Sequence, residues 1–212
     1  MTCKTGIFIT FEGGEGSGKS TQIGLLQNFI ISTGMESIIT REPGGTLFSE
    51  QIRPLLGVDG IDANEKLLLL WAARINHLKK KIEPALEAGQ WVLCDRFIHS
   101  TIAYQGYGQG LDLDSLYTME KLFLTRRPDL TFFLDVNPKI SLKRAHHRDK
   151  ALNQEGYFES LPVEFHQRVY AGFQTLAFHN PNQIISIPAE SSASYIHEQI
   201  KKHVSDLFLV NR

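Results

Sequence analysis

The 212-residue sequence predicts an α/β fold built on a five-stranded parallel sheet with helices on both faces. Three observations support this. Short apolar, β-branched runs alternate with stretches whose apolar residues recur at helical spacing. The alternation continues from the first strand-like run to the last helix with no internal repeat or low-complexity linker. A glycine-rich segment lies where the first strand-like run passes into the first helix, as in sheets that bind ligands at strand ends.

The elements follow in order. Gly6-Ile7-Phe8-Ile9-Thr10-Phe11 has the continuous apolar character of a buried parallel strand. Thr21 to Ile31 carries Ile23, Leu26, Phe29 and Ile30 at helical spacing. Met35–Thr40 reads as the second strand, followed by the turn Arg41-Glu42-Pro43-Gly44-Gly45 and a short helix over Phe48–Leu56. A long helix over Asn64–Ala88 ends at Gly89, and Gln90–Cys94 is a third strand leading into Asp95-Arg96-Phe97. Gly106-Tyr107-Gly108-Gln109-Gly110 reads as a turn-rich patch before a helix over Asp114–Leu124. Asp129–Val136 is the fourth strand, and Asn137-Pro138 opens a helix to about His147. A polar segment to about Ser160 precedes a helix over Pro162–Phe178. Gln183–Ile187 and Ser194–Leu209 supply the fifth strand and the last helix.

Composition narrows the class. The length fits one domain spanning residues 1–212, and 42% apolar residues is a globular composition. No apolar run approaches the ~20 residues of a membrane helix, and the N-terminus lacks a signal-peptide layout. Two cysteines, Cys3 and Cys94, are too few for a disulfide framework and point to a reducing, cytoplasmic setting. Cys94 reads as a small core residue. A net charge of −1 lacks the basic excess of a nucleic-acid binder. Neither nucleic acid nor membrane is expected as a partner.

Gly13-Gly14-Glu15-Gly16-Ser17-Gly18-Lys19-Ser20 matches G-x-x-x-x-G-K-[ST] at a strand–loop–helix junction. Its glycines let backbone N–H groups turn toward an anion, and the following helix, beginning near Thr21, adds its partial positive charge. Lys19 supplies a charge for the β- and γ-phosphates, and Ser20 a hydroxyl for Mg²⁺. The loop therefore binds a nucleoside triphosphate.

Four further constellations each admit two readings. Asp95-Arg96 ends a strand, where Asp95 suits Mg²⁺ and Arg96 a second phosphate, or where the two tie down a loop. Thr101, Tyr104 and Gln105 share a helical face that meets either a nucleobase or solvent. Arg74 follows the apolar stretch Leu67–Trp71, which is expected to be buried on most sides, so Arg74 should reach a carboxylate, a carbonyl or a ligand. Lys143-Arg144-Ala145-His146-His147-Arg148-Asp149-Lys150 is a solvated helix end or a mobile lid. Adjacent histidines point in different directions, which argues against zinc.

Phe11-Glu12 with the phosphate loop, Thr40-Arg41-Glu42-Pro43-Gly44-Gly45-Thr46, Ala72-Ala73-Arg74, Asp95-Arg96-Phe97, Ala103-Tyr104-Gln105-Gly106 and Arg127-Pro128-Asp129-Leu130-Thr131 leading to Leu134-Asp135-Val136 occur in this order. Together they closely resemble the bacterial thymidylate kinases, from about residue 6 to residue 210. The loop is shared by many families, whereas the combined set is much more specific. The resemblance implies a three-layer P-loop kinase fold with a mobile lid over about residues 143–160, transfer of phosphate from ATP to dTMP, and a homodimer. It implies that Glu15 lies near the sugar 3′-hydroxyl, that Arg53 and Arg96 hold the dTMP phosphate, and that Arg74, Thr101 and Gln105 meet the thymine edge. Tyr104 is implied under the sugar, where a 2′-hydroxyl would clash, and Asp95 beside Mg²⁺. Ala189-Glu190-Ser191 is a candidate adenine-side loop.

The sequence departs from these relatives in two places. Leu70 stands where they commonly carry a Phe that stacks on thymine, and Tyr157 stands where a lid Arg is expected before Phe158-Glu159. The resemblance implies that, with Gly at the position of Gly16, the catalytic cation comes from the lid. The candidates here are Arg148, Lys150 and Arg144. Arg148 is the one expected to act, and Arg144 is expected to cover the adenine. No general base is needed, because a phosphate oxygen attacks. The rival readings are a P-loop kinase for another nucleotide or for a nucleoside, and a nucleotide-dependent switch or DNA-dependent ATPase. No Asn-Lys-x-Asp guanine motif is present, and the charge balance disfavours DNA. The apolar Leu67–Trp71 face is also a candidate dimer surface.

Overall fold

Five strands form one all-parallel sheet in the computed structural model: β1 Phe8–Glu12, β2 Ser37–Arg41, β3 Trp91–Asp95, β4 Leu130–Asp135 and β5 Ile184–Pro188. The structure describes residues 6–152, 158 and 160–210, with side chains for 6–147, 158, 160–205 and 207. The strand order is β2-β3-β1-β4-β5. β1 thus lies between β3 and β4, and the chain leaves it toward opposite edges. A crevice opens at such a switch point, beyond the carboxyl ends of the strands.

Both faces of the sheet are buried, which is why its strands read as continuous apolar runs. Along β1 and the residue before it, Ile7, Ile9 and Phe11 face one core with Leu93, Phe132 and Leu134, while Phe8 faces the other with Val92, Cys94 and Phe133. The first core is closed by α1 (Lys19–Ser32) and α9 (Ala193–Val210), through Ile23, Leu26, Ile30, Ile196 and Ile200. The second is closed by α3 (Ala63–His77), α4 (Glu83–Glu87), α6 (Leu113–Phe123) and α8 (Val163–His179). α2 (Leu47–Ile52) packs on α3.

Local chemistry sets the boundaries. Asp62 and Glu65 form a reciprocal capping box at the start of α3, and Asp112 accepts from the Ser115 N–H at the start of α6. Cys94 is fully buried, as expected of a core residue. The short helix expected over Phe48–Leu56 ends at Ile52 and tightens into a 3₁₀ turn over Arg53–Gly57, with Pro54 in its first turn. The long helix expected over Asn64–Ala88 is one continuous rod, α3 to α4, passing through a π-helical stretch at Leu78–Ile82.

Three expectations need correction. Gly106–Gly110 is not a turn-rich patch up to Gly108: α5 (Ile98–Thr101) continues into a π-helical segment, Ile102–Gly108. Close packing favours glycine there, since a Cβ on Gly108 would lie 2.7 Å from the Phe165 ring. The helix expected to stop near His147, α7, runs over Pro138–Leu152. Within Leu67–Trp71, Leu67, Leu70 and Trp71 are buried but Leu68 is 61% exposed, so the stretch is not covered all round.

Candidate active site

The phosphate loop leaves β1 and enters α1 with three glycines at positive φ: Gly13 at 140°, Gly16 at 72° and Gly18 at 97°. Gly18 caps α1, so Lys19, Ser20 and Thr21 occupy the first turn, whose N–H groups have no partner within the helix. Lys19 Nζ donates to the carbonyls of Gly13 and Gly14 at 3.1 and 2.9 Å and to Ser17 Oγ at 3.4 Å. Burial and then the Arg96 charge lower its pKa, opposed by Asp95, Glu15 and Glu12. The loop is thus a cradle of N–H groups with one buried ammonium.

Gly16 leaves no room for a side chain at its position, so Lys19 is the one cation in the loop. A Cβ there would lie 2.1 Å from the Ser141 carbonyl oxygen and 2.8 Å from the Ala145 nitrogen. The backbone of α7 presses directly on the loop, and no side chain fits between them.

Asp95 and Arg96 lie at the end of β3, beside Phe11 of β1 and Arg41 of β2. Ser20 Oγ donates to Asp95 Oδ2 at 3.2 Å, and Asp95 Oδ1 is buried without a hydrogen-bond partner among the described residues. A hydroxyl and an orphaned carboxylate oxygen at the mouth of the loop suit a hard cation. Among the described residues no three His, Cys, Asp or Glu side chains group as an all-protein metal cage.

Arg96 is the one non-glycine residue at positive φ among those described, 68°. Such a conformation costs about 1–3 kcal/mol and persists where surroundings over-determine it. Its N–H donates to the Phe11 carbonyl at 3.0 Å. Its guanidinium donates to the Gly13 carbonyl at 2.9 Å, Ser100 Oγ at 3.2 Å and Glu15 Oε1 at 2.5 Å, and stacks 4.9 Å from the centroid of Tyr104. Tyr104 Oη also donates to Glu15 Oε1, at 3.0 Å. Burial raises the Glu15 pKa, but the Arg96 and Lys19 charges outweigh it and hold the carboxyl at about 2. Arg96 therefore pairs with Glu15, not with its neighbour Asp95.

Beneath this cluster lies Glu12, a residue to which sequence reasoning gave no role. Its fully buried carboxylate accepts from the N–H groups of Phe97 and Ser100 at 2.9 and 3.2 Å and from Ser100 Oγ at 2.5 Å. It anchors the start of α5 and so the chain on either side of Arg96. Burial pushes its pKa up to about 7, against the Ser100 hydrogen bond and the Arg96 charge.

A cleft opens next to the loop, and Glu15, Leu70, Arg74, Arg96, Thr101, Tyr104 and Gln105 all line it. Seven predicted residues from α3, the position just after β3, α5, the π-helical segment and the phosphate loop thus share one cavity. Arg74 satisfies both of its readings: its Nε donates to Glu42 Oε2 at 2.8 Å, and its side chain also lines the cleft. Arg53 is not among the cleft-lining residues. It donates to the carbonyl of Pro43, a cleft-lining residue, at 2.9 Å; burial, then Arg41 and Arg96, lower its pKa. Arg144 lies apart, donating to the carbonyls of Ala189 and Glu190 at 3.2 and 3.5 Å. The side chains of Arg148 and Lys150, and Tyr157 and Glu159 entirely, fall outside the described residues. Sequence reasoning also missed Pro43, Phe97 and Phe158 in the cleft wall. Pro43 and Phe97 lay inside quoted motifs, and only three-dimensional convergence assigns them a place.

The loop and the cleft adjoin at the end of β1, one built for a triphosphate and the other lined by arginines for a second anionic partner. A donor and an acceptor brought together in this way characterise the P-loop nucleotide kinases. A family model described as thymidylate kinase matches residues 11–200. A thymidylate kinase of Wolbachia sp. subsp. Brugia malayi is 43% identical over 204 residues, covering 94% of this chain and 96% of the relative. One from Synechococcus sp. is 46% identical over 192 residues, covering 90% of each. The crystal structure of thymidylate kinase from Ehrlichia chaffeensis superposes with a TM-score of 0.76 at 36% identity, covering 94% of this chain and 99% of that one. The chain belongs to the thymidylate kinase family.

Proposed function

We infer that the chain transfers the γ-phosphoryl group of ATP to dTMP, giving dTDP and ADP. The observation that carries the acceptor side is the convergence of Glu15, Arg74, Arg96, Thr101, Tyr104 and Gln105 on one cleft beside the phosphate loop. A phosphate oxygen of dTMP, ionised at neutral pH, forms the new bond to the γ-phosphorus. The bond from that phosphorus to the β–γ bridging oxygen breaks, and ADP leaves with the electron pair. No proton needs to be removed from the nucleophile, so catalysis is positioning and charge neutralisation.

In this reading Lys19 and the first-turn N–H groups of α1 hold the β- and γ-phosphates. Arg96 and Arg53 hold the acceptor phosphate, and Glu15 and Tyr104 receive the sugar. Ser20 and Asp95 would hold Mg²⁺, whose charge balances the phosphates when bound. Arg144, bonded to the Ala189-Glu190 loop, covers the adenine. Arg148 stays the proposed lid cation over residues 143–160: Arg148→Ala should lower kcat by about 10³-fold, with Lys150→Ala near normal. The opposite ranking would reject that assignment.

We further propose a single-domain cytoplasmic enzyme that works as a homodimer. No described helix is long and apolar enough to cross a membrane. Leu47, Phe48, Leu68, Leu122 and Phe123 on α2, α3 and α6 are exposed apolar side chains, and in this reading a second copy covers them. ATP consumption measured with dTMP, dUMP, UMP, CMP, AMP and thymidine tests the activity. dTMP should be the best acceptor, and equal or better turnover of any other would refute thymidylate specificity.

A further inference from the structure

Arg74 is held more completely than a base contact alone requires. Its guanidinium lies between Trp71 and Phe97, 5.1 and 5.2 Å from the ring centroids. Nε donates to Glu42 Oε2 at 2.8 Å and Nη2 to Thr101 Oγ1 at 2.9 Å. Nη1 is buried and has no hydrogen-bond partner among the described residues. A pair built only for stability would leave no such donor, because an unmet buried N–H is costly.

Glu42 is itself fixed from behind. Its second oxygen, Oε1, lies 3.0 Å from His77 Nδ1, and His77 Nε2 lies 2.7 Å from Thr40 Oγ1. A carboxylate only accepts, so Nδ1 carries the proton toward Glu42. The Glu42 N–H donates to the Asp95 carbonyl at 2.9 Å, tying the residue to β3. Gly45 closes over the assembly at φ 81°, where a Cβ would lie 2.4 Å from Thr40 Oγ1 and 2.5 Å from His77 Nε2. Arg74, Glu42 and His77 are all essentially buried.

We propose that Glu42 is a positioning residue for base selection, braced by His77 and Thr40, which fixes Arg74 so that Nη1 meets the acceptor base as a rigid donor. The proposal rests on the base-pocket reading given above. A fixed donor is satisfied by the 4-oxo group of thymine or uracil. It opposes the 4-amino group of cytosine, leaving two donors face to face. The hydrogen bonds to Glu42 and Thr101 keep the guanidinium from rotating to another arrangement.

Glu42→Gln keeps the shape and removes the charge. Steady-state kinetics with dTMP and dCMP, with dTMP binding by calorimetry, should show KM and Kd for dTMP raised about ten-fold or more. The dTMP-over-dCMP ratio of kcat/KM should fall by a similar factor, with kcat falling much less and KM for ATP unmoved. His77→Gln, acting one step further back, should shift dTMP affinity and the ratio in the same direction by roughly three-fold. An unchanged ratio in a folded Glu42→Gln, or a loss confined to kcat, would overturn the proposal. If Glu42→Gln does not fold, His77→Gln decides, and unchanged dTMP affinity and ratio there would overturn it. Arg74→Gln separates the layers. If it too leaves the ratio unchanged, the base-pocket reading itself fails; if it collapses the ratio while Glu42→Gln does not, only the bracing role fails.

Discussion

Glu12 ends β1 with a carboxylate that solvent does not reach, and its pKa near 7 has a consequence for stability. Between the unfolded value of 4.5 and about 7, the folded chain keeps the proton that the unfolded chain has lost. Folded molecules then bind more protons, so stability falls as pH rises through this window, by at most about 1.4 kcal/mol per pH unit. Glu12→Gln should flatten the slope of Tm against pH between about 5 and 7; a slope equal to that of the parent would show that Glu12 does not titrate there. At Gly16, the contact with Ser141 and Ala145 predicts that Gly16→Ala pushes α7 off the loop. The expected result is a KM for ATP raised about ten-fold or more, measured with dTMP saturating. Residues of the loop, Asp95, Arg96 and Arg74 were legible because their chemistry is rare at strand ends and on apolar helices. Glu12 and Glu42 were not, because a lone carboxylate in an apolar run or a turn gives no hint of the N–H groups or cations that will meet it.

At the scale of elements, the π-helical segment Ile102–Gly108 forms part of the cleft wall. It carries Tyr104 and Gln105 on a wall that α8 supports from behind, where Arg168 donates twice to the Gly108 carbonyl, at 3.0 and 2.8 Å. Gly108→Ala would drive a methyl group into Phe165 and Val169. Overpacking of this kind costs about 1–3 kcal/mol, so Tm should fall by several degrees. KM for dTMP should rise more than KM for ATP, since only the acceptor wall moves. The strands and long helices were readable from periodicity and caps. Gly106–Gly110 was not, because three glycines in five residues signal a turn locally, whereas Gly106 and Gly108 are small so that neighbouring elements can approach, and Gly110 alone, at φ 80°, has the turn conformation. Gly106, for instance, faces Leu113 and Leu116 of α6.

Across the whole molecule, strand alternation foretold the parallel sheet and its two buried faces, but not where the chain would reverse direction. The order β2-β3-β1-β4-β5 sets β1 at the switch point, and that placement brings loop and cleft together. The same scale governs assembly. Leu68 is 61% exposed, Leu47 81% and Leu122 70%, apolar side chains that a second copy would cover. Leu68→Glu should turn a dimer into a monomer in sedimentation at micromolar concentration; a parent that is already monomeric would remove the proposed interface. The most direct test of the account is a crystal structure with dTMP bound. Arg74 Nη1 should lie about 3 Å from the thymine 4-oxo oxygen, with Arg96 on the phosphate and Tyr104 under the sugar. A base seated away from Arg74, or a phosphate that Arg96 does not touch, would contradict it.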